Sequence, residues 1–204
     1  MAKPVEIRVN PAVLTWARET IGYSIEEASR KAGVGPEKLR AWELGRAYPS
    51  YVQLETLAYT VYRRPLAVLF RDEPPVESPA GQEFRNLPKP AANQLSTEMR
   101  LAIRKAKHFQ TLMNELGDEG SPQFALFSLT LQEKPAQAAT RFRDFVDLSV
   151  EEQKRWPADE AFARFWEFVE RLGIFVLLMD LPLEEARAFS LSDARSPLFV
   201  FSKQ

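Results

Sequence analysis

The sequence predicts a mainly α protein: an N-terminal domain of five helices, a Pro-rich linker, and a C-terminal α+β unit with a small sheet. Three observations lead there. Apolar residues recur at helical spacing, between glycine and proline stops, through the first part of the chain up to about Phe70. Prolines 74, 75, 79, 88 and 90 then crowd the stretch from Asp72 to Leu95, which has no sustained apolar period. Beyond Gly173 the period shortens into β-rich runs.

The first helix is announced by Asn10, a capping residue, before Pro11, which suits the first helical position; Val13, Leu14, Trp16 and Ala17 carry it to Gly22. Ser24 and Glu27 have capping-box spacing and open a second helix, continued by Ala28 and stopped by Gly33. Only Val34 and Gly35 separate that stop from Pro36, which opens a third helix with Leu39 and Trp42 facing inward and Gly45 at its end. So tight a turn makes the two helices cross steeply. Val52, Leu54, Leu57, Ala58 and Val61 predict a fourth helix, and Leu66 to Phe70 a short fifth. These residues, 1–71, form the first domain, and 72–95 the linker.

In the remainder, 96–204, Ser96 caps an amphipathic helix through Leu116 that ends at Gly117. Met99, Ile103, Ala106, Met113 and Leu116 lie on one side; Arg100, Arg104, Lys105, Lys107 and His108 lie on the other. Such a basic face could meet nucleic acid, but on a surface helix charge is more often simply solvated. Phe124 to Leu131 reads as a strand or buried turn. Helices follow at about Ala136 to Val146 and Pro157 to Leu172, the latter with Phe162, Phe165, Trp166, Val169 and Leu172 as its apolar side. Ile174 to Met179, Ala188 to Leu191 and Leu198 to Phe201 supply the strands. Leu198 and Val200 share one face of the last strand and Phe199 and Phe201 the other, so both faces need cover.

Composition narrows the function classes. The absence of cysteine excludes disulfides, thiolate zinc sites and cysteine nucleophiles. His108 is the only histidine, so any metal site would be built from carboxylates; no metal is expected. Gly-rich phosphate loops, a Ser/His/Asp set and dinucleotide fingerprints do not occur, and no cofactor is expected. The pairs Glu26 and Glu27, Glu151 and Glu152, and Glu184 and Glu185 sit near predicted helix starts, where negative charge complements the helix dipole. No apolar run reaches the roughly 18 residues of a membrane span, and MAKPVEIRVNP lacks a secretory apolar core, so a soluble, cytoplasmic chain is expected. The net charge is −1, but residues 1–71 hold 11 Lys and Arg against 7 Asp and Glu, leaving that part at +4 and the remainder at −5. A polyanion would meet the N-terminal part.

The segment LTWARETIGYSIEEASRKAGVGPEKLRAWELGRAYPSYVQLETLAYTV resembles the repressor-type helix-turn-helix family, the Xre or Cro/C1 family. Ala28, Gly33, Leu39, Trp42, Glu43, Gly45 and Pro49 carry the likeness. The resemblance implies a structural ion pair between Arg18 and Glu43, and DNA readout from the start and outer face of the third helix in the major groove. The matching region comprises Ser24, Gly35, Pro36, Glu37, Lys38, Arg40, Ala41 and Arg46. Pro36, Glu37 and Ala41 depart from the amide side chains common there, and Ile25 replaces the glutamine that usually opens the second helix. Phosphate contact then falls to Lys38, Arg40, Arg46 and the amide end of the third helix, while Glu37 can accept from cytosine.

The pieces FRNLPK, FVERLGIFVLLMDLPLEEARAFSLSD and SPLFVFSK resemble the N-terminal portion of an ImmA/IrrE-type domain. That family carries an HExxH zinc-peptidase helix after the strand that here ends near Lys203; this sequence has none, and no catalytic residue is expected in it. The leading expectation is a transcriptional regulator that binds double-stranded DNA, as a homodimer, with a C-terminal sensing or dimerising region. The alternatives are the N-terminal portion of a zinc peptidase whose catalytic part lies beyond Gln204, and an antitoxin-like interaction module with little DNA binding. A partner or second copy is expected to dock through residues 174–201, where strands apolar on both faces would otherwise meet water.

Overall fold

The protein is described by a computed structural model, which covers residues 5–76, 84–85 (backbone alone), 95–117, 127, 130 and 132–203. It is mainly helical with one small sheet, and falls into two compact units. One comprises Met1–Pro79 with Pro90–Leu101, the other Ala80–Lys89 with Ala102–Gln204. The chain thus passes between the units twice within the Pro-rich stretch and once more inside the helix that follows it.

In the first unit, helix α1 spans Pro11–Ile21, α2 Ile25–Ala32, α3 Pro36–Glu43 and α4 Tyr51–Glu55. Each start has a local cause. Asn10 accepts from the Ala12 N–H ahead of Pro11, and capping boxes open α2 at Ser24 with Glu27 and α4 at Ser50 with Gln53. Gly33 ends α2 at φ +68°, a left-handed conformation that side-chain-bearing residues rarely adopt.

Beyond α4 the helix widens into a π-helical stretch, Thr56–Tyr62, and a 3-10 turn, Leu66–Phe70, replaces the predicted fifth helix. The wide turns bring Leu57, Ala58, Val61 and Tyr62 all to the interior. Val52, the first residue of the apolar run that predicted the fourth helix, is exposed: it lies two residues, about 200° of helix, from buried Leu54. The core joins Val13, Leu14, Ala17 and Ile21 of α1 to Leu39 and Trp42 of α3 and Leu54, Leu57 and Leu69 downstream. Each large side chain buried there contributes roughly 1.5–3 kcal/mol. Trp16 is half-buried; the Arg64 guanidinium covers its ring at 3.9 Å while Arg64 Nη2 donates to Thr20 Oγ1 at 3.0 Å.

Helix α5, Thr97–Leu116, starts where Ser96 Oγ accepts from the Met99 N–H. Met99, Ala102, Ile103 and Ala106 form its buried stripe, and predicted Leu116 is exposed instead. The basic side is not uniformly solvated: Lys105 and His108 are exposed, while Arg100, Arg104 and Lys107 are half-buried.

The second unit contains α6, Pro135–Phe145, α7, Val150–Lys154, and α8, Ala161–Arg171. Its sheet comprises β1 (Phe84–Arg85), β2 (Phe175–Met179), β3 (Ala188–Leu191) and β4 (Leu198–Ser202), in the order β1-β3-β4-β2. β3 runs antiparallel to β1 and β4, with Phe189 opposite Val200; β4 pairs parallel to β2, with Leu177 opposite Val200. Strand β1 falls inside the predicted linker. Helix α7 was not anticipated, Glu184 and Glu185 lie in a turn, and the predicted strand or buried turn from Phe124 to Leu131 is, Phe127 and Thr130 apart, outside the described residues.

Leu198 and Val200 are buried on one face of β4, while Phe199 and Phe201 on the other pack with α8. There the Phe162 and Phe201 rings meet edge-on at 6.0 Å. Both faces of β4 thus meet other parts of the chain, with Phe199 and Phe201 remaining half-buried. Helix α8 turns Phe168 and Val169 inward and leaves Phe162 and Phe165 exposed, reversing part of the predicted apolar side. No helix among the described residues is long and apolar enough to cross a membrane.

Candidate nucleic-acid interface

The turn from Gly33 to Gly35 sets α3 against α2, and α3 is sunk into the core by Leu39 and Trp42 alone. Apart from Glu43 and Ala41, its remaining side chains are displayed. Pro36, Glu37, Lys38 and Arg40 are exposed, Ala41 is half-buried, and Arg46 just past the helix is exposed. Gly35 caps α3 with no side-chain hydrogen bond, at an ordinary φ of −70°. A Cβ added there would meet nothing within 4 Å. The fold itself does not require glycine at this point, so the small residue leaves room for something to approach the amide end of α3.

Ser24 does not present a free hydroxyl. Its Oγ accepts from the Glu27 N–H at 3.1 Å, and its own N–H donates to the Glu27 carboxylate at 2.9 Å. The Ser24 N–H, and after it the Ser24 hydroxyl, hold the Glu27 carboxyl below its ordinary range.

Two cations of the surface are engaged as well. The Arg40 guanidinium donates to Glu37 Oε1 at 2.6 Å and stands 3.6 Å from Glu26 Oε1 on α2. Lys38 Nζ lies 5.5 Å from the centre of the Trp42 ring, within cation–π range. Sequence reasoning assigned Glu26 to the α2 dipole and missed its approach to Arg40. The signal was available only in combination: a first-turn carboxylate on one helix, and a cation one turn into another across a tight turn.

Beneath this surface Arg18 and Glu43 form the bidentate pair that the resemblance implies, with Nε to Oε1 at 2.8 Å and Nη2 to Oε2 at 2.9 Å. Their side chains are 12% and 7% exposed. Arg18 Nη1 also donates to the Tyr23 carbonyl at 3.0 Å, and Thr15 Oγ1 donates to Glu43 Oε2 at 3.3 Å. Donating to the Glu43 carboxylate raises the Arg18 pKa, and burial pushes the nearby Tyr62 phenol above its ordinary value. The pair joins the middle of α1 to the last residue of α3 and so fixes how α3 is presented.

No family model, curated protein or solved structure matches this chain.

Proposed function

We propose that the first unit binds double-stranded DNA and that the protein is a transcriptional regulator. The observation that carries this reading is α3 itself: a short helix anchored by two buried residues, with Glu37, Lys38 and Arg40 displayed on its outer side and an uncapped, uncrowded amide end. A helix so mounted suits insertion into the major groove, whose base edges it would meet with its first turns. The +4 charge of residues 1–71, against −5 for the remainder, supports an anionic partner on this part of the chain. Under this reading the second unit senses a signal or dimerises.

A second reading, a protein-interaction module, draws on the carboxylates beside Arg40 and on exposed Leu44, Tyr51 and Val52 following α3. Electrophoretic mobility shift of a mixed duplex by the full chain separates the two. DNA binding predicts a shift at low salt that fades steeply as salt rises, through counterion release. No shift at micromolar protein in low salt would refute it in favour of the interaction module.

A further inference from the structure

We propose that Glu37 and Arg40 act as one readout unit for a cytosine and a guanine in neighbouring base pairs, and that Glu26 keeps Arg40 off the phosphate backbone. This deepens, and rests on, the DNA-binding reading above. Positions 37 and 40 share the exposed side of α3, 85% and 46% exposed at the side chain, opposite Leu39 and Trp42. Three residues of helix advance about 4.5 Å, close to the roughly 3.4 Å between stacked pairs, so the two side chains face adjacent steps of the groove.

The acceptor chemistry fits that division. Glu37 uses Oε1 for Arg40, and a carboxylate has a second oxygen to accept from the cytosine amino group. Guanine presents two acceptors, O6 and N7, to an arginine fork. Arg40 already spreads its two terminal nitrogens over two carboxylates, Nη1 toward Glu37 and Nη2 toward Glu26. Turning from exposed Glu26 to guanine breaks only a weak surface pair. Turning to a phosphate would bring the carboxylates of Glu26 and Glu37 against the anionic backbone, which opposes sequence-blind binding.

The test is selection of bound duplexes from a randomised library by the full chain, in wild-type, Glu37→Gln and Glu26→Gln forms, with affinity for a random-sequence duplex measured beside it. Wild type should select a site with cytosine and guanine in adjacent pairs. Glu37→Gln should exchange the cytosine for adenine, which an amide reads, and keep the guanine, a change of roughly ten-fold or more in preference. Glu26→Gln should keep both bases while raising random-duplex affinity several-fold and steepening its salt dependence by about one charge. An unchanged selected site in Glu37→Gln, or unchanged random-duplex affinity in Glu26→Gln, overturns the proposal while leaving DNA binding intact. Failure of all three forms to retain any duplex overturns both.

Discussion

Replacing Arg18 by methionine should destabilise the first unit by about 3–5 kcal/mol, the cost of stranding one member of a buried ion pair. Glu43 is only 7% exposed and would lose both guanidinium bonds, keeping the Thr15 hydroxyl as its described partner. Each charge-assisted bond contributes about 1.5–3 kcal/mol, and relaxation of the site brings their sum down to the stated range. Glu43→Gln should cost less, because an amide can still accept one bond from Arg18 but carries no charge. The double variant Arg18→Met with Glu43→Leu should fall within about 1–2 kcal/mol of wild type, since it leaves neither charge uncompensated. Native-state hydrogen exchange of the full chain, read at amides in α1 and α3, reports the first unit separately from the second. If Arg18→Met costs under about 1 kcal/mol, as for a solvent-exposed pair, the claim that this pair locks α3 to α1 is refuted.

Other outcomes follow from local geometry. Gly22→Ala should cost about 1–3 kcal/mol, because φ is +86° and the new methyl would sit 2.8 Å from Arg100 Nε; thermal unfolding checks it, and a neutral result would contradict the left-handed cap. Gly35→Ser should leave stability equal or raise it by up to about 1 kcal/mol, through capping and a stiffer unfolded chain. The same variant should weaken duplex binding, so a mobility shift and a melt on one sample suffice. Burial raises the Asp193 pKa, but the N–H groups of Arg195 and Ser196 and the Asn114 side chain outweigh it, so the net shift is downward. Its contribution to stability is therefore present above the ordinary aspartate range and lost as pH falls through the lowered value. Asp193→Asn should flatten that acid-side loss in the second unit, measured by hydrogen exchange of β3 and β4 across the acid range.

Where residues signal through their immediate neighbours, sequence reading and structure agree. Asn10 with Pro11, Ser24 with Glu27, and Gly33 act within a turn of themselves, so α1 to α3 begin and end as their spacing implies. Strands β2 to β4 were likewise legible, as short runs rich in apolar and aromatic residues such as Phe175–Met179, set between turn residues. Features decided at a distance were not. Phe168 rather than Phe162 or Phe165 turns inward on α8 because the sheet, not the helix, selects the face. The π-helical turns at Thr56–Tyr62 accommodate Tyr62 in the core, and no local motif announces them. At the candidate interface the exposed residues of α3 were readable from the inward pair Leu39 and Trp42. The grip of Glu26 on Arg40 joins two helices and was not.

The sheet order β1-β3-β4-β2 also has a temporal meaning. On the ribosome, β2 is made before β3 and β4, yet its described sheet partner is β4. The apolar strand Phe175–Met179 must therefore wait, its backbone unpaired, until Leu198–Ser202 has emerged. The helices α1 to α4 depend on no such delay, since they pack chiefly on one another and on the stretch Thr56–Phe70 that follows them directly. During synthesis and refolding the second unit thus passes through an interval in which a sticky, unpaired strand is the most aggregation-prone part of the chain. Nascent-chain quality control would meet this protein first at β2.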